Sequence, residues 1–599
     1  MKIFVSIVSV FTIVLLLQFF ITCNKKTNNE AMVKALFYQQ IDTLFADINE
    51  LKNQVNKKDN LAQIQAQFAK SRNSFKQIEP IIEYCYQGLA KRINGAALPD
   101  IKTEDGQVFP PHGFQVIEQA LFSNYTDSMA SLVLSEINVL EADLYFAKAN
   151  LKEISILPHH VYEMLQHQLI RIAAQGLAGF DAPLSKYSLA EIQHNLIGIE
   201  KIYKAYYTPK KWSDSLNILY AATKNYLKNN TDFDSFDRLH FTTTYLMPVS
   251  TFIASAYEVD DTMYNKPFSG TLADLLKGQK LNADYYAAYD ISKTNLNKIA
   301  LGKLLFYDSS LSKSNAISCG SCHKPRLYFT DGKVKANNFV HGGSLDRNTP
   351  TLLYASLQSH QFYDARSTTL EDQINEVFKN TNEFNFNANS IAKKVASNTN
   401  YALLFKKAFV NTDSITGYEV RNAISSYVRS LSPFTSRFDE YMRGNETTIN
   451  KEEKAGFNLF MGKAKCGTCH FMPLFNGNIP PWYSKSESEI IGVPEKAIWA
   501  NAKIDKDEGR YNINKMQELQ YAFKTPTIRN VEKTAPYMHN GVYSNLNDVV
   551  AFYTKGGGVG IGMVMPFQTL PFDSLMLNSS EEKAIVAFMK TLTDKKVDN

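Results

Sequence analysis

The chain has 599 residues, of which 44% are hydrophobic and 21% are charged. This length suits three or four domains, and the composition excludes a disordered or fibrous protein and predicts packed cores. Lysine and arginine number 64 against 59 aspartates and glutamates, and a net charge of +5 gives no support for nucleic-acid binding.

The first segment combines a short basic start with a strongly apolar run from Ile3 to Thr22. This pattern is typical of a secretory signal, so we predict a signal peptide over residues 1–22 and an exported protein. The alternative is an uncleaved membrane anchor, because about 20 apolar residues can cross a bilayer. The four residues that end at Cys23 are similar to a loose lipoprotein box, although Phe20 and Thr22 depart from it. We therefore predict lipid attachment at Cys23 and a location in the periplasm or cell envelope.

Residues 24–255 show apolar residues at three- and four-residue spacing, which predicts a helical bundle. The longest predicted helices are Ala31–Leu51, Asn60–Tyr86, Met129–Lys152, His159–Gln175 and Ser188–Tyr207. Residues 256–293 contain Pro267 and Gly270 and are interpreted as a linker with a helical piece near Leu272–Leu281. No later run is apolar enough to span a membrane.

One five-residue motif occurs twice in the chain, as Cys319-Gly320-Ser321-Cys322-His323 and as Cys466-Gly467-Thr468-Cys469-His470. C-x-x-C-H is the attachment signature for c-type haem. Two thiols three positions apart can bond to both vinyl groups of one porphyrin, and the adjacent imidazole can then bind the iron. A thioredoxin-like redox pair and half of a zinc site are the competing interpretations. Two copies in an exported chain favour haem, whereas Cys85 is typical of a buried structural thiol.

The spacing of the two motifs allows one haem domain each, over residues 294–435 and 445–597. Before the second motif, a helix is predicted from Lys451, capped by Thr448 or Asn450. A last helix, capped by Asn578, shows four apolar residues on one face: Ile585, Phe588, Met589 and Leu592. In small c-type cytochromes an N-terminal and a C-terminal helix cross beside the haem. The predicted fold is mainly α, an N-terminal helical bundle followed by two cytochrome c-type domains.

Residues 294–597 resemble the bacterial di-haem cytochrome c peroxidases, which are related to the methylamine-utilisation di-haem oxygenase. The resemblance rests on ordered blocks around the two motifs: Leu301–Asp308, Arg347–Thr351, Gln361–Arg366, Thr525–Asn530 and Ala535–Gly541. It implies two covalent c-type haems, of which the first reduces hydrogen peroxide and the second collects electrons. A small cytochrome c or a cupredoxin is the implied electron donor, and a homodimer is compatible with the resemblance.

The resemblance assigns His323 as the proximal ligand of the first haem iron, and Gln373 and Glu383 match the family's active-site amide and carboxylate. Glu383 is expected to move a proton between the peroxide oxygens as the O–O bond breaks, while Gln373 orients peroxide or water. His341 matches a labile distal ligand of the same iron, and the alternative is a histidine on a surface loop. Tyr363 stands where the peroxidases have a Trp between the haems, so it is expected to mediate electron transfer.

At the second haem the resemblance assigns His470 as the proximal iron ligand. Tyr553 stands at the position where the peroxidases have a Met. The methylamine-utilisation oxygenase has a Tyr there, as this sequence does. A phenolate would lower the potential of that haem, because it stabilises ferric iron more than a thioether does. Met563 and Met565 lie nearby and are the alternative ligands.

The resemblance also implies a calcium ion between the haem domains. The side chain of Asn348 and the backbone carbonyls of Thr534 and Pro536 match its ligands, and oxygen donors suit this hard cation. Arg529 matches a residue that pairs with a haem propionate.

The N-terminal region resembles the imelysin-like family of exported helical proteins. The residues that carry this resemblance are Ser71, Arg72, Phe75, Glu79 and Gly113–Glu118. In the family's Gly-x-His-x-x-Glu motif the His is replaced here by Gln115, a poor metal ligand, which puts an iron site that includes Glu118 in doubt. We expect this region to act as a spacer or docking platform.

The function expected from the sequence is reduction of hydrogen peroxide by an exported, lipid-anchored di-haem peroxidase. Two alternatives stay open. One is a di-haem oxygenase of the methylamine-utilisation type that oxidises residues of a partner protein. The other is a non-enzymatic electron-transfer relay in which both irons are permanently six-coordinate.

Overall fold

The structure is a computed structural model that describes residues 2–207, 214–257, 265–410, 414–571 and 573–595, with side chains from residue 29 onward. The signal peptide and the lipidation of Cys23 lie outside the described side chains. The chain divides into two compact units. The N-terminal unit comprises Met1–Asp100, Phe109–Phe233 and His240–Asp260, and the C-terminal unit comprises Ile101–Val108, Asp234–Leu239 and Asp261–Asn599.

The first ten α-helices lie mostly in the N-terminal unit: α1 (Lys2–Lys57), α2 (Leu61–Cys85), α3 (Gln87–Asn94), α4 (Phe114–Phe122), α5 (Asp127–Asn150), α6 (Pro158–Arg171), α7 (Ser188–Tyr206), α8 (Asp214–Asn229), α9 (Arg238–Phe241) and α10 (Met247–Ser255). Short elements are the π-helices Ile172–Gly176 and Thr242–Leu246, the 3-10 turn Leu151–Glu153, and a two-stranded sheet of β1 (Asp100–Lys102) and β2 (Gln107–Phe109). The five helices predicted from periodicity appear as α1, α2, α5, α6 and α7. The expectation of a mainly α protein is confirmed.

Helix α2 is central to the N-terminal unit and packs against α1, α6 and α7. It begins after Asn60, whose side chain accepts a hydrogen bond from the Ala62 N–H. Its apolar residues Phe68, Phe75 and Ile82 are fully buried. Helix α7 comes close at Gly198, where a Cβ would lie 2.3 Å from the Gln77 carbonyl oxygen, so only glycine permits this approach.

The core of the N-terminal unit also contains a buried ionic network. Arg72 donates to both carboxylate oxygens of Glu191, and Lys76 donates to Glu79 and Asp181 at 2.7 Å each. Burial opposes the ionisation of Asp181, but the neighbouring cations outweigh it and hold its pKa well below the ordinary value. Because a buried charge without a partner is costly, the network stabilises the unit only when it is complete.

The C-terminal unit contains thirteen further α-helices among the described residues: α11 (Leu272–Leu276), α12 (Leu296–Tyr307), α13 (Cys319–Cys322), α14 (Leu370–Lys379), α15 (Ala388–Ala396), α16 (Thr399–Ala408), α17 (Gly417–Arg429), α18 (Arg437–Met442), α19 (Lys451–Met461), α20 (Tyr511–Asn514), α21 (Leu546–Thr554), α22 (Gly557–Gly560) and α23 (Ser579–Thr591). The 3-10 turns are Asp290–Ser292, Ser309–Leu311, Pro325–Leu327, Ala355–Leu357, Cys466–Thr468, Gln517–Leu519 and Val531–Lys533. Strands β3 (Ser488–Glu489) and β4 (Phe523–Lys524) pair antiparallel, with Ser488 opposite Lys524.

The helix crossing predicted around the second motif is formed by α19 and α23. Asn450 and Asn578 cap these helices, each in a capping box with a Glu three residues later. The helices touch at Gly456, where a Cβ would lie 1.9 Å from the Ala584 carbonyl oxygen. Helices α12 and α17, which lie before and after the first motif in the chain, repeat this crossing, and a Cβ on Gly302 would lie the same 1.9 Å from the Ala423 carbonyl oxygen. The second copy of the crossing was not predicted from the sequence.

Within the part of the chain where side chains are described, no helix is both long enough and apolar enough to cross a membrane.

Candidate functional site

The first C-x-x-C-H motif forms the short helix α13, so its two thiols lie one turn apart. Ser318 and Ser321 form a capping box at its start. The imidazole of His323, directly after the helix, has its Nδ1 atom 2.9 Å from the Phe329 carbonyl oxygen. A proton on Nδ1 leaves the Nε2 lone pair free to bind iron. Burial lowers the pKa of His323, which favours the neutral ring that a metal requires.

The second motif orients its histidine in the same way, with its cysteines on a 3-10 turn. The Nδ1 atom of His470 lies 3.1 Å from the Phe475 carbonyl oxygen, and burial lowers the pKa of the ring. Both motifs therefore present two partly buried thiols and one oriented imidazole, the donor set that a c-type haem requires. No group of three His, Cys, Asp or Glu side chains that could hold a metal ion occurs among the described residues.

Glu383 lies close to Cys319 and Cys322 of the first motif, and the acid–base role expected for it stays a prediction. Burial raises the pKa of this carboxyl group, although a 2.5 Å hydrogen bond from Asn380 and the charge of Arg366 oppose the rise. Burial and then the charge of neighbouring groups, Glu383 among them, raise the pKa values of Cys319 and Cys322. A half-buried carboxyl group with a raised pKa, next to the thiols that would hold the first haem, can accept and return a proton.

His341 and Gln373 lie on two elements that flank Glu383. His341 is an exposed loop residue whose N–H donates to Asn338 at 2.9 Å, and Asn338 in turn donates to Asn382 at 3.1 Å. The loop is thus tied to the residue next to Glu383. Gln373 is half-buried on α14, which ends just before Asn380. The end of helix α14 and the turn after it connect Gln373 to Glu383 along the chain. The peroxide-handling roles of these two side chains stay predictions.

Tyr363 and Asn348 meet where the two motif-bearing halves are in contact. The Tyr363 hydroxyl donates to Asn348 Oδ1 at 3.4 Å, and the Tyr363 carbonyl accepts from the Lys524 N–H at 2.7 Å. Asn348 is buried, and its N–H donates to the His539 carbonyl at 2.7 Å. The predicted calcium ligand Asn348 therefore contacts the segment that contains the other two, Thr534 and Pro536. Binding of calcium stays a prediction.

Tyr553 lies beside the second motif, on α21. Burial raises the pKa of its phenol well above the ordinary value, and the cysteines Cys469 and Cys466 are the next contributors. Met565, in contrast, packs with Ile490, Leu519 and Ala522, and Met563 is buried after α22. Tyr553 thus lies near both cysteines of the second motif, and its role as a ligand of the second haem iron stays a prediction, with Met563 and Met565 as the alternatives.

Arg529 is fully buried, and its main partner is a carboxylate. Its Nη1 and Nη2 atoms donate to Asp439 at 3.1 and 2.9 Å, and its Nε donates to the Pro473 carbonyl at 2.9 Å. In the first half, Arg429 makes the same bidentate pair with Glu371 at 2.8 and 2.9 Å. The predicted contact of Arg529 with a haem propionate would have to use its remaining N–H groups.

Two functional features were not found from the sequence. Arg347 donates to Asp507 at 2.6 and 3.0 Å and to Asp364 at 2.6 Å, which ties the two motif-bearing halves together. Glu489 forms side-chain hydrogen bonds with Thr569 and Cys469, and burial raises its pKa. These partners lie far apart in the chain, and the acidic loop around Asp507 was the only local signal that could have drawn attention to either.

In the N-terminal unit, Gln115 and Glu118 of the altered Gly-x-His-x-x-Glu motif form hydrogen bonds to neighbouring segments of the chain. Gln115 donates to the Asn94 carbonyl at 3.0 Å, and Glu118 accepts from the N–H and the hydroxyl of Ser185 at 2.9 and 2.5 Å. These contacts give both side chains a structural role, and the imelysin-like resemblance stays a prediction.

Comparison with known proteins finds relatives of the C-terminal half. Residues 296–447 match the family model of the di-haem cytochrome c peroxidases. The methylamine utilization protein MauG of Methylorubrum extorquens is 32% identical over 296 residues, which is 49% of this chain and 78% of that protein. The cytochrome c551 peroxidase of Nitrosomonas europaea is 32% identical over 309 residues, which is 51% of this chain and 83% of that protein. A crystal structure of a MauG-like protein associated with microbial copper homeostasis is 27% identical, with a TM-score of 0.44, and the match covers 51% of this chain and 91% of that chain.

Two thiol pairs, each with an oriented histidine and a helix crossing, define a di-haem protein of the c-type cytochrome class. The chain belongs to the di-haem cytochrome c peroxidase family. Membership makes it an oxidoreductase of the peroxidase class and implies two covalently bound c-type haems.

Proposed function

We propose that this protein reduces hydrogen peroxide to water with electrons from a small redox protein, H2O2 + 2 e⁻ + 2 H⁺ → 2 H2O. The observation that carries the proposal is the half-buried carboxyl group of Glu383 beside Cys319 and Cys322. A peroxide at the first haem has to lose a proton from one oxygen and gain one on the other. In this proposal Glu383 makes both transfers.

The side chains around Glu383 have supporting roles in this proposal. His323 would hold the first haem, which when bound would supply a coordination position and electrons for O–O cleavage. Asn380 fixes the Glu383 carboxylate through its 2.5 Å hydrogen bond, and Gln373 orients peroxide or water from α14. His341, on the exposed loop tied to Asn382, gates access to this side of the haem.

At the second haem, His470 and Tyr553 are the proposed ligands, and Tyr363 mediates transfer of electrons to the first. The Tyr363 backbone bond to Lys524 and its hydroxyl bond to Asn348 support an intermediate position. A calcium ion on Asn348, Thr534 and Pro536 would stiffen this contact. The donor is a small cytochrome c or cupredoxin, and export with lipid attachment at Cys23 places the protein in the cell envelope.

The proposal is tested by mixing the holoprotein with a reduced small cytochrome c and hydrogen peroxide. We expect rapid oxidation of two cytochromes for each peroxide consumed. Inertness toward peroxide in both the oxidised and the half-reduced protein would contradict the proposal and support the electron-transfer relay.

One observation favours a second candidate function. Tyr553 lies beside Cys466 and Cys469, and MauG shares this family. A phenolate ligand lowers the haem potential, which would make ordinary cytochromes poorer donors and favour oxidation of a partner protein. This oxygenase function predicts that the protein reacts with peroxide, fails to oxidise the reduced cytochrome, and returns only slowly to its resting spectrum.

A further inference from the structure

Three basic side chains come together near Tyr363, and we call Lys524, Arg510 and His360 the basic cluster. Lys524 is only 9% exposed, and its ammonium donates to the side-chain oxygen of Gln358. Burial and the charges of Arg510 and Lys524 lower the pKa of His360, which places the three groups close to one another. Burial also lowers the pKa values of Lys524, to about 8, and of Arg510.

The basic cluster has too few nearby carboxylates to pair with its positive charges. Asp364, which faces Arg510, already accepts hydrogen bonds from Arg347 at 2.6 Å and from Arg366 at 2.7 Å. Glu104, the other acid near Arg510 and His360, is exposed. Among the described residues, no carboxylate lies within ion-pair distance of Lys524. A buried ammonium held by a single amide oxygen is unfavourable, so the arrangement calls for an anion.

The position of the cluster identifies the anion. Lys524 ends strand β4 opposite Ser488, and the next residue on β3, Glu489, bonds Cys469 of the second motif. Two positions after Lys524, the backbone at Pro526 hydrogen-bonds His470. The other side of the cluster reaches the first half through Gln358 and through the 2.7 Å backbone bond to Tyr363. The backbone that carries Lys524 therefore runs beside the second motif, while the Lys524 side chain, on the face of the two strands opposite to Glu489, reaches Gln358 of the first half. Each haem brings two carboxylates as propionates.

We propose that the basic cluster binds a haem propionate and that Lys524 is its counter-ion. The proposal deepens the proposed function, because it rests on the two haems and names the residues that set the potential of one of them. Arg529, paired with Asp439, is then a structural arginine, and the propionate contact predicted for it belongs to Lys524. Reduction removes one positive charge from the iron, so a nearby cation stabilises the reduced state. The propionate belongs to the second haem or to the first, and the test separates the two.

The test is a spectroscopic redox titration of both haems in the full-length holoprotein and in Lys524→Met, which keeps the length of the side chain and removes its charge. At a fixed applied potential, the ratio of reduced to oxidised haem is expected to fall about tenfold for the haem whose propionate is bound. Lys524→Arg, which keeps the charge, is expected to restore the ratio to within about twofold.

Lys298→Met is the matched control, because Lys298 is a buried lysine whose ammonium donates to the carbonyls of Ile291 and Lys293 at 2.7 and 2.8 Å. It should change neither potential. If Lys524→Met does not assemble, Arg510→Gln is titrated in its place, with a smaller fall expected for the same haem.

A fall confined to the second haem, or confined to the first, supports the proposal and identifies the propionate. Unchanged potentials in a variant that carries two haems, or an equal fall in Lys298→Met, would overturn it. Peroxide turnover is measured separately. Turnover with unchanged potentials contradicts only the propionate contact, whereas a selective fall without turnover contradicts only the proposed function.

Discussion

The two haem-bearing halves share a scaffold and differ on the face where chemistry takes place. Each half orients its proximal histidine with a backbone carbonyl, crosses two helices at a glycine and buries one bidentate arginine–carboxylate pair. The first half then presents Glu383 beside its motif, Gln373 on the preceding helix α14, and an exposed His341 on a loop tied to the residue next to Glu383. The second half presents the phenol of Tyr553 in the interior. Under the proposed function, the first half would supply the open reaction site and the second half the closed electron store.

The largest expected effect is at Glu383. Glu383→Gln keeps the size of the side chain but cannot take up a proton, so peroxide turnover should fall by about 10² to 10⁴ fold with both haems retained. The matched control is Glu489→Gln, which removes the buried carboxyl group beside the second motif. Steady-state turnover with a reduced cytochrome measures both variants. Equal losses in the two would break the distinction between the halves.

Much of the scaffold was predictable because its signals are local. The two motifs, the Asn450 and Asn578 caps and the apolar face of α23 each fall within a few consecutive residues. Tyr553 was found because it stands at a fixed position in a family pattern. In contrast, the pairs Arg529–Asp439 and Arg347–Asp507 join residues 90 and 160 positions apart, and no local pattern encodes their contact. The basic cluster could not be predicted for the same reason, because its members come from three separate segments.

The next effect concerns the distal ligand of the second haem. Tyr553→Met replaces a phenolate with a thioether. The ratio of reduced to oxidised second haem should therefore rise at least about tenfold at a fixed applied potential. Met563→Leu should leave the potential unchanged. Redox titration with absorption spectroscopy reads both haems. A shift caused by Met563→Leu alone would reassign the ligand to the methionine.

The shared helix crossings should respond alike to an added methyl group. Gly302→Ala and Gly456→Ala each place a Cβ against a carbonyl oxygen, which should lower the free energy of unfolding of the C-terminal unit by about 1–3 kcal/mol. Gly88→Ala, on helix α3 with open space around it, is the control and should be neutral or slightly stabilising. Thermal unfolding followed by haem absorbance and circular dichroism measures the three. Tolerance of alanine at Gly456 would contradict the tight crossing.

The smallest effect is a shift in the pH profile. Because burial raises the pKa of Glu383, its carboxylate is present only above a pH higher than that for an ordinary glutamate. Peroxide turnover should therefore rise with pH along an acid limb that lies at higher pH than the limb of an ordinary glutamate. Asn380→Ala removes a hydrogen bond that favours the carboxylate, so it should move this limb further toward alkaline pH. A limb that stays in place in Asn380→Ala would show that another group controls it.

The central claim is that the chain carries two covalent haems, one of which can open a coordination position while the other stays closed. Absorption and paramagnetic resonance spectra of the full-length protein, matured in a host that attaches c-type haem, test this claim directly in the oxidised and half-reduced states. We expect two haems per chain, with one high-spin and one low-spin iron in the half-reduced protein. A colourless protein, a single haem, or two low-spin irons in both states would contradict the account.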